Sequence, residues 1–323
     1  MKAAIYTQYG PPEVVGVRDV ATPTHKDSEI LVRVRWTTIC AADWRLRSAR
    51  PAFVRLFTGL WRPKTQILGM EFSGTVASVG KTVTRFHGGE EVFGSTGFRF
   101  GCHAEYVCVP EDGASLKPVN MTLEEAAAVM FGGMTALYFL RKAEVRAGER
   151  VLIYGASSST GVFAVQLAKW FEARVTGVCS TKNLELVKSL GADEVVDYTR
   201  EDFSNAGRIY DVVFDAVGAS GFARTGRSLK RGGRYVRVGL KGGMGAMVGS
   251  IFASLWMSAT GAGKMVGGVT QGTAQDREFL KELIEAGSLR TVIDRRYRLE
   301  QIAEAHRYAE AGHKVGHLVV EVG

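Results

Sequence analysis

The run of residues 151–183, VLIYGASSSTGVFAVQLAKWFEARVTGVCSTKN, constrains the fold of this 323-residue chain more than any other segment. Its pattern predicts a strand over 151–154, a small-residue turn over 155–161, an amphipathic helix over 162–171 and a strand over 174–179. Such a turn aims the amides at a helix start toward an anion, where the helix dipole also favours negative charge. The run therefore predicts half of a dinucleotide-binding unit.

The glycine pattern of this turn is incomplete. Gly155 and Gly161 are present, but Ser158 and Ser159 stand where the middle glycine of G-x-G-x-x-G is expected. A serine hydroxyl can donate to phosphate, although its Cβ limits how closely the backbone approaches a ligand. Taken alone, the turn is also compatible with an ordinary strand–turn–helix corner. The residues expected to contact a cofactor here are Ala156, Ser158, Ser159, Thr160, Gly161 and Val162.

Strands and helices continue to alternate beyond this run. The pattern predicts strands over 191–198, 210–218, 234–240 and 264–270, with a helix over 221–230. Strands such as DVVFDAV are almost continuously apolar, as is typical of parallel strands covered on both faces. We therefore expect an α/β domain built on a doubly wound parallel sheet.

The tip of the second strand, 178–183, indicates which nucleotide binds. NAD-binding proteins usually carry an Asp or Glu about 20 residues past the glycine turn, to hold the ribose 2′-hydroxyl. Here the tip reads VCSTKN and contains no acid. Hydroxyls and a cation suit a 2′-phosphate, so we favour NADPH over NADH. The expected contacts are Ser180, Thr181, Lys182 and Asn183, although Lys182 is equally compatible with a solvated helix start.

Composition points to an ordinary globular protein, with 46% hydrophobic and 23% charged residues. The four cysteines form no C-x-x-C pair and residues 1–10 lack an apolar signal segment, so we expect a cytoplasmic protein with free thiols. Part of the net charge of +8 is concentrated in one basic segment, residues 45–64, with no acid between Trp44 and Leu68. It is compatible with a solvated face or with a cleft mouth that attracts anions. We do not expect nucleic-acid binding, because no module for it accompanies the segment.

Residues 242–263 carry no charge and are long enough to span a bilayer. They are rich in glycine and lie between two predicted strands of one sheet, so a spanning helix would dismantle that sheet. We expect instead a short apolar helix that lines the substrate site or forms a homodimer contact. Peripheral contact with a membrane remains an alternative for this segment.

The region before residue 122 differs in kind. Short strands separated by Gly, Pro and Asp predict an irregular β-barrel. Thr122 and Glu125 form a capping box for the following helix, and the last helix and strand of the chain are expected to return to this first domain. The expected domains are residues 1–130, completed by 273–323, and residues 131–272.

The chain as a whole resembles the zinc-independent, quinone oxidoreductase-like branch of the medium-chain dehydrogenase/reductase superfamily. The matching segments, in the order of the family, are AADWRLRSARP, LGMEFSGTVASVG, HAEYVCVPE, EEAAAVMFGGMTAL, GASSSTGVFAVQLAK, SLGADEVVDYT, VVFDAVG and EAHRYAEAGHKVGHLVVEV. The resemblance implies a GroES-like catalytic domain, a Rossmann cofactor domain and a cleft between the two.

The resemblance also implies that no zinc is bound. The positions that correspond to the catalytic zinc ligands of zinc-dependent relatives are Cys40, Met70 and Phe131. A single sulfur ligand of this kind cannot supply the three protein ligands that a catalytic zinc needs. Only Cys102 and Cys108 lie in the region where relatives carry a structural zinc on four cysteines.

Further site residues follow from the resemblance. Cys40, Asp43 and Arg45 would be catalytic: Arg45 occupies a slot where relatives carry Tyr, and Asp43 is either a proton source or a structural partner of Arg45 or Arg47. Tyr198 is either beside the adenosine phosphate or an aromatic at the sheet edge. The six histidines are expected at the surface. The remaining implied cofactor contacts are Thr135, Val217, Gly218, Val238, Gly239, Leu240 and Lys314.

Two classes of function are compatible with these features. The first is a NADPH-dependent reductase that transfers hydride to a quinone or an α,β-unsaturated carbonyl, which needs only orientation, a hydrogen bond to the developing oxyanion and exclusion of water. The second is a dinucleotide-binding sensor or partner-binding protein with little catalysis. An alcohol or aldehyde oxidoreductase is less favoured, because alcohol oxidation usually needs a metal or an activated Tyr or Lys.

Overall fold

The computed structural model describes residues 1–238 and 263–323, together with Gly249 and Met257. The predicted cofactor contacts Gly239 and Leu240 and most of the apolar segment 242–263 lie outside the described residues. The chain divides into two compact units. Unit 1 comprises Met1–Phe131, Thr273–Gly287 and Thr291–Gly323, and unit 2 comprises Gly132–Gly272 and Ser288–Arg290.

The described strands are β1 (Lys2–Ile5), β2 (Gly16–Asp19), β3 (Glu29–Ile39), β4 (Glu71–Val79), β5 (Glu91–Ser95), β6 (Tyr106–Pro110), β7 (Ala114–Leu116), β8 (Arg150–Tyr154), β9 (Arg174–Cys179), β10 (Glu194–Asp197), β11 (Tyr210–Asp215), β12 (Leu229–Arg237), β13 (Gly263–Val266), β14 (Ile293–Arg298) and β15 (His317–Glu321). The described helices are α1 (Ala41–Ser48), α2 (Arg55–Thr58), α3 (Leu123–Ala127), α4 (Met130–Lys142), α5 (Ser159–Trp170), α6 (Leu184–Ser189), α7 (Phe222–Ser228), α8 (Ala274–Glu285) and α9 (Ile302–Ala311).

Unit 2 is built on a six-stranded parallel sheet in the order β10-β9-β8-β11-β12-β13. The central strands are apolar because both faces of the sheet are covered: Leu152, Val178 and Val213 are fully buried. The strand order runs outward in both directions from the neighbouring strands β8 and β11. In sheets of this type, ligands bind at the carboxyl ends of the strands beside that reversal. The predicted doubly wound fold is confirmed.

Several predicted boundaries in unit 2 shift in the structure. Helix α5 begins at Ser159 rather than at residue 162, because Ser158 caps it and brings the preceding small residues into the first turn. Helix α7 ends at Ser228, and β12 begins directly after it at Leu229. Strand β13 ends at Val266, before the glycine pair that the sequence pattern assigned to it.

Unit 1 contains a seven-stranded sheet in the order β14-β15-β3-β4-β5-β7, with β6 paired to β3, and a separate antiparallel pair of β1 and β2. Strand β15 pairs with β3, so the end of the chain completes the sheet of this unit. The core includes Ile30, Phe72 and Val320. The predicted capping box is present at α3, where the Glu125 amide donates to Thr122 Oγ1 (3.2 Å) and the Thr122 amide donates to Glu125 Oε2 (2.9 Å).

Among the described helices, none is both long and apolar enough to cross a bilayer.

Candidate functional site

The predicted cofactor residues of unit 2 gather at the carboxyl ends of four neighbouring strands. The turn after β8, the tip of β9, the loop after β11 and Val238 after β12 share this edge of the sheet. Two contacts show the proximity: a Cβ added at Gly155 would lie 2.8 Å from Val217 Cγ1, and the Val238 amide donates to the Asp215 carbonyl (3.0 Å). The structure therefore brings together residues that lie as far as 83 positions apart, from Gly155 to Val238.

The turn before α5 keeps the two glycines that its geometry requires. Gly155 has a φ of +76°, a conformation that residues with a Cβ rarely adopt. At Gly161, an added Cβ would lie 2.1 Å from the Gly155 carbonyl oxygen, so only glycine allows this close approach of helix and turn. These two positions explain why the turn forms without the middle glycine of the usual pattern.

Ser158 acts as the N-cap of α5. Its Oγ accepts a hydrogen bond from the Gly161 amide (3.1 Å), and its carbonyl accepts from the Val162 amide (2.9 Å). These bonds use two of the first-turn amides, so an anion at this helix start would contact the residues before them, Ser159 and Thr160. A hydroxyl that accepts a bond keeps its own proton to donate, and the cap is therefore compatible with the predicted phosphate contact of Ser158.

Asn183 links the turn to the tip of the second strand. Its buried amide nitrogen donates to Ser157 Oγ (3.0 Å) and to Ser180 Oγ (3.2 Å). Thr181 and Lys182 are exposed beside it. The Asn183 side chain therefore positions this edge of the sheet, whereas Lys182 is accessible to a ligand.

Asp197 is an acid that the sequence analysis did not place at this tip. It ends β10, directly beside Cys179 of β9, and its carboxylate accepts hydrogen bonds from the Thr181 hydroxyl and from the amide (2.9 Å) and hydroxyl (2.7 Å) of Thr199. The hydrogen bond from Thr181 lowers the pKa of Asp197. The second strand itself carries no acid, but the neighbouring strand brings one to its end.

Asp215 is the residue that shapes the loop after β11, and the sequence analysis did not identify it. Its fully buried carboxylate accepts bonds from the amides of Val217 (3.2 Å), Gly218 (2.7 Å), Ala219 (3.2 Å) and Ser220 (2.8 Å). The hydroxyls of Ser220 (2.7 Å) and Tyr235 (3.2 Å) donate to the same carboxylate. Burial, together with this neighbouring negative charge, raises the pKa of Tyr235 to about 12. The predicted contacts Val217 and Gly218 are therefore held in place by an internal carboxylate.

Two further predicted cofactor residues lie in unit 2. Thr135 is buried in α4, with the Thr270 hydroxyl 3.5 Å from its Oγ1. Tyr198 is half exposed, and its ring centroid is 6.4 Å from that of Tyr154.

In unit 1, the fully buried Asp43 holds two backbone segments together. Its carboxylate accepts from the amide of Cys40 (2.7 Å) and from the amide of Gly69 (2.9 Å). The prediction that Asp43 pairs with Arg45 or Arg47 is wrong: Arg47 bonds to Glu310, and Arg45 lies over the Trp44 ring, 5.3 Å from its centroid. Two backbone amides therefore bind the Asp43 carboxylate in place of a cation. The Cys40 amide is available because it lies at the N-cap of α1 and has no partner within the helix.

Glu71 forms a second buried carboxyl group close to these residues, which the sequence analysis did not identify. It accepts hydrogen bonds from the Thr38 hydroxyl and the Phe131 amide. Burial raises the pKa of Glu71 to about 7, with a smaller contribution from the charge of Asp43, against the opposing effect of these hydrogen bonds and of Lys314. The Glu71 carboxyl group therefore titrates near neutral pH.

Cys40 and Lys314 lie in the same electrostatic environment. Burial, and then the charges of Asp43 and Glu71, raise the pKa of the Cys40 thiol well above its ordinary value. Burial lowers the pKa of Lys314, an effect that the nearby Cys40 and Glu71 oppose. The Lys314 ammonium donates to the Gly316 carbonyl (3.1 Å).

The residues at the zinc-ligand positions do not fit a zinc ion. Cys40 offers a single sulfur ligand. Met70 offers a neutral thioether, and Phe131 offers no side-chain ligand. In the described part of the chain, no group of three or more His, Cys, Asp and Glu side chains is arranged to hold a metal ion.

The prediction that all histidines lie at the surface is wrong for three of the six. His103, His306 and His317 are buried in unit 1. His103 and His306 make an edge contact with ring centroids 6.0 Å apart, and His103 Nε2 lies 2.9 Å from the Thr38 carbonyl oxygen. Burial lowers the pKa of His306 well below its ordinary value and that of His317 to about 3. The His306 and His317 imidazoles are therefore neutral, and all three rings are buried in unit 1.

The basic segment 45–64 divides into buried and exposed cations. Arg47 is fully buried and bonds to Glu310 of α9, so it joins distant parts of unit 1. Arg50, Arg55, Arg62 and Lys64 are exposed. The prediction of a solvated basic face therefore holds for these four exposed cations but not for Arg47.

Comparison with known proteins agrees with both units. The sequence profile of the alcohol dehydrogenase GroES-like domain matches residues 26–119, and that of the zinc-binding dehydrogenase family matches residues 190–320. The 2-methylene-furan-3-one reductase of Solanum lycopersicum is 31% identical, covering 99% of this chain and 79% of that protein. The NADPH-dependent alkenal/one oxidoreductase, chloroplastic, of Arabidopsis thaliana is 29% identical with the same coverage.

The solved structure of the quinone oxidoreductase from Coxiella burnetii is similar over 100% of this chain and 99% of that one, with a TM-score of 0.89 and 30% identity. The predicted GroES-like and Rossmann architecture is thereby confirmed. The fold, the cofactor turn and the matches along the whole chain lead to one conclusion: the chain belongs to the quinone oxidoreductase-like proteins of the medium-chain dehydrogenase/reductase superfamily.

Proposed function

We propose that the protein is a NADPH-dependent, zinc-independent reductase of quinones or α,β-unsaturated carbonyls. The observation that carries the proposal is the combination of the tight turn before α5, in which Gly161 packs against the Gly155 carbonyl, with zinc positions filled by Cys40, Met70 and Phe131. The names of the similar proteins, a 2-methylene-furan-3-one reductase, an NADPH-dependent alkenal/one oxidoreductase and a quinone oxidoreductase, support the substrate class.

The proposed chemistry asks for little acid–base catalysis from the chain. NADPH supplies the hydride, and a conjugated acceptor spreads the resulting negative charge, so one or two hydrogen bonds suffice. We propose that Arg45 stabilises this charge and that the neutral Cys40 thiol lines the site. Asp43, whose oxygens are used by two amides, acts by positioning the Cys40 segment, and the proton comes from solvent.

Cofactor contacts are proposed for the residues gathered at the sheet edge. The pyrophosphate would lie against Ala156 and the start of α5, and the 2′-phosphate against Ser180 and Lys182. Since the Thr181 hydroxyl bonds to Asp197, its contribution is smaller than the sequence predicts. Thr135, Val217, Gly218 and Val238 would face the nicotinamide end, and Tyr198 the adenosine phosphate. Lys314 is a further proposed cofactor contact. A homodimer and a cytoplasmic location remain part of the proposal.

The test is a turnover panel. NADPH consumption is measured with quinones, enones and enoyl thioesters, and NADP⁺ reduction with simple alcohols. We expect faster turnover of the conjugated acceptors, because alcohol oxidation needs an alkoxide that a metal usually stabilises. Since the proposed reductase uses no zinc, treatment with a metal chelator should leave this turnover unchanged. Faster alcohol oxidation would contradict the reductase, and tight NADPH binding without turnover on either panel would instead support the sensor.

Cofactor preference gives a second prediction. NADPH should bind at least ~10-fold more tightly than NADH, which corresponds to about 1.4 kcal/mol. Lys182 is exposed at the tip of β9, which carries no acid of its own, and the Asp197 carboxylate that β10 brings there is occupied by Thr181 and Thr199. Lys182→Ala should narrow this difference, whereas Lys188→Ala, an exposed lysine on the following helix, should not. Fluorescence titration of both nucleotides measures the ratio. Equal or tighter NADH binding by the wild type would contradict the preference.

A further inference from the structure

Residues 58–64, here named the tryptophan loop, form an anchored turn on unit 1. The Lys64 amide donates to the Thr58 carbonyl (2.8 Å), which closes the loop, and the Tyr9 hydroxyl donates to the Gly59 carbonyl (2.7 Å). Gly59 has a φ of +121°, and an added Cβ would lie 2.1 Å from the Arg62 carbonyl oxygen. The loop therefore has a defined conformation that depends on glycine and is fixed at its base.

The tip of this anchored loop exposes large apolar side chains. Trp61 is 87% exposed and Leu60 is 55% exposed, and Leu56, on the helical turn before the loop, is 72% exposed. Single exposed apolar residues are ordinary on a protein surface, but three within six positions, two on the fixed loop and one on the turn before it, indicate an interaction surface. Pro63 of the same loop is buried, so the exposure is confined to Leu60 and Trp61 among these three apolar residues.

The charges around this tip have one sign. Arg55, Arg62 and Lys64 are exposed, and no carboxylate of the described residues lies within ion-pair distance of them. The Arg55 guanidinium lies over the Tyr9 ring, 5.0 Å from its centroid, so it is held beside the base of the loop. The sequence contains no Asp or Glu between Asp43 and Glu71. The surface that surrounds Trp61 therefore fits an anionic partner.

We propose that the tryptophan loop docks the protein onto an anionic lipid surface. Tryptophan and leucine are the side chains that enter the boundary between headgroups and acyl chains, while flanking Lys and Arg contact anionic headgroups. A nucleic acid fits less well, because Leu56 and Leu60 are aliphatic and add no stacking platform beside Trp61. A second copy of the chain fits less well too, because a two-fold contact at this loop would bring like charges together.

The experiment uses the full chain without nucleotide or substrate. Sedimentation with vesicles of phosphatidylcholine and phosphatidylglycerol should show binding that weakens as salt is added, and vesicles of phosphatidylcholine alone should bind far less. Trp61→Ala should weaken binding to the anionic vesicles by at least ~10-fold. The double variant R62A/K64A should have a similar effect and should lose most of the salt dependence.

Two matched controls separate this loop from the rest of the surface. Phe98→Ala removes another exposed aromatic residue of unit 1, and the double variant R18A/K81A removes two exposed cations elsewhere on the same unit. Both should bind like the wild type. The Trp61 emission, obtained as the difference between wild type and Trp61→Phe, should shift to shorter wavelength on anionic vesicles.

The proposal is overturned if the wild type does not bind anionic vesicles, or if it binds neutral vesicles equally well. It is also overturned if Trp61→Ala binds like the wild type, or if the loop variants instead abolish a self-association seen by sedimentation equilibrium or an affinity for single-stranded nucleic acid.

Discussion

Replacing Asp215 by alanine should lower the free energy of unfolding by about 3–5 kcal/mol, because several buried donors lose their acceptor at once. The carboxylate receives bonds from the amides of residues 217–220 and from the hydroxyls of Ser220 and Tyr235, with no exposure to solvent. NADPH affinity should fall as well, since the same loop carries Val217 and Gly218. Chemical denaturation and fluorescence titration measure the two effects.

Asp202→Ala is the matched control for this prediction. Asp202 lies in the same unit and also accepts from a backbone amide, that of Ser204 (2.9 Å), but its side chain is partly exposed. Its loss should cost about 1 kcal/mol, as for an ordinary capping residue. A loss below about 1 kcal/mol for Asp215→Ala, or equal losses for the two variants, would show that the loop after β11 does not depend on the internal carboxylate.

Glu71 should make stability depend on pH in the direction opposite to an ordinary carboxylate. Its pKa is about 7 in the folded protein, against an ordinary value of 4.5, because burial disfavours the charged form. The folded state therefore binds the proton more tightly, and the stabilisation is complete below about pH 4.5 and is lost as the pH rises through about 7. Each tenfold difference in proton affinity is worth about 1.4 kcal/mol, so the full effect is about 3 kcal/mol.

The measurement is the unfolding free energy of the wild type minus that of Glu71→Gln across this pH range. Titrating groups whose surroundings the substitution leaves unchanged contribute equally to both proteins and cancel in the difference. Gln fits the site, because its oxygen can accept from the Phe131 amide and its nitrogen can donate to Thr38 Oγ1. We expect the difference to fall by about 3 kcal/mol between about pH 4.5 and pH 8, and a constant difference would contradict the raised pKa.

Glu29→Gln provides a control of opposite sign. Burial acts to raise the pKa of Glu29, but hydrogen bonds from the Lys26 amide and from Arg99 outweigh it, and the pKa is lowered. The stabilisation that ionised Glu29 gives to the folded state is therefore present above about pH 4.5, and it is lost as the pH falls through the lowered pKa of Glu29. The wild type minus Glu29→Gln difference should grow with rising pH while the Glu71 difference shrinks.

The sequence was sufficient for the fold because its strands and helices are encoded by local patterns. The parallel strands of unit 2 are apolar runs separated by helices, a pattern that predicts a parallel sheet covered on both faces. The start of α5 was missed by three residues, although Ser158 is a favoured N-cap residue and could have indicated it.

The polar residues of the site were harder to predict, because their partners are distant in sequence or belong to the backbone. The sequence pattern assigned Asp215 to a strand. An aspartate at the end of a strand, followed by the small residues A-V-G-A-S, nevertheless predicts a turn in which the carboxylate accepts hydrogen bonds from the next backbone amides. Nothing in the local pattern indicates that Arg47 is buried against Glu310, 263 residues away, or that Glu71 meets the Phe131 amide. Such pairings depend on tertiary packing alone.

The double hydrogen bond of Asn183 has a consequence for engineering this chain. One amide nitrogen joins Ser157, in the turn that would hold the pyrophosphate, to Ser180, at the tip that would distinguish the two ribose forms. The preference for NADPH over NADH and the affinity for the shared pyrophosphate therefore depend on the same side chain. Redesign of the tip toward NADH that replaces Asn183 would also disturb the turn, so a successful change of nucleotide preference has to leave Asn183 intact and act through Lys182 or through release of the Asp197 carboxylate from Thr181.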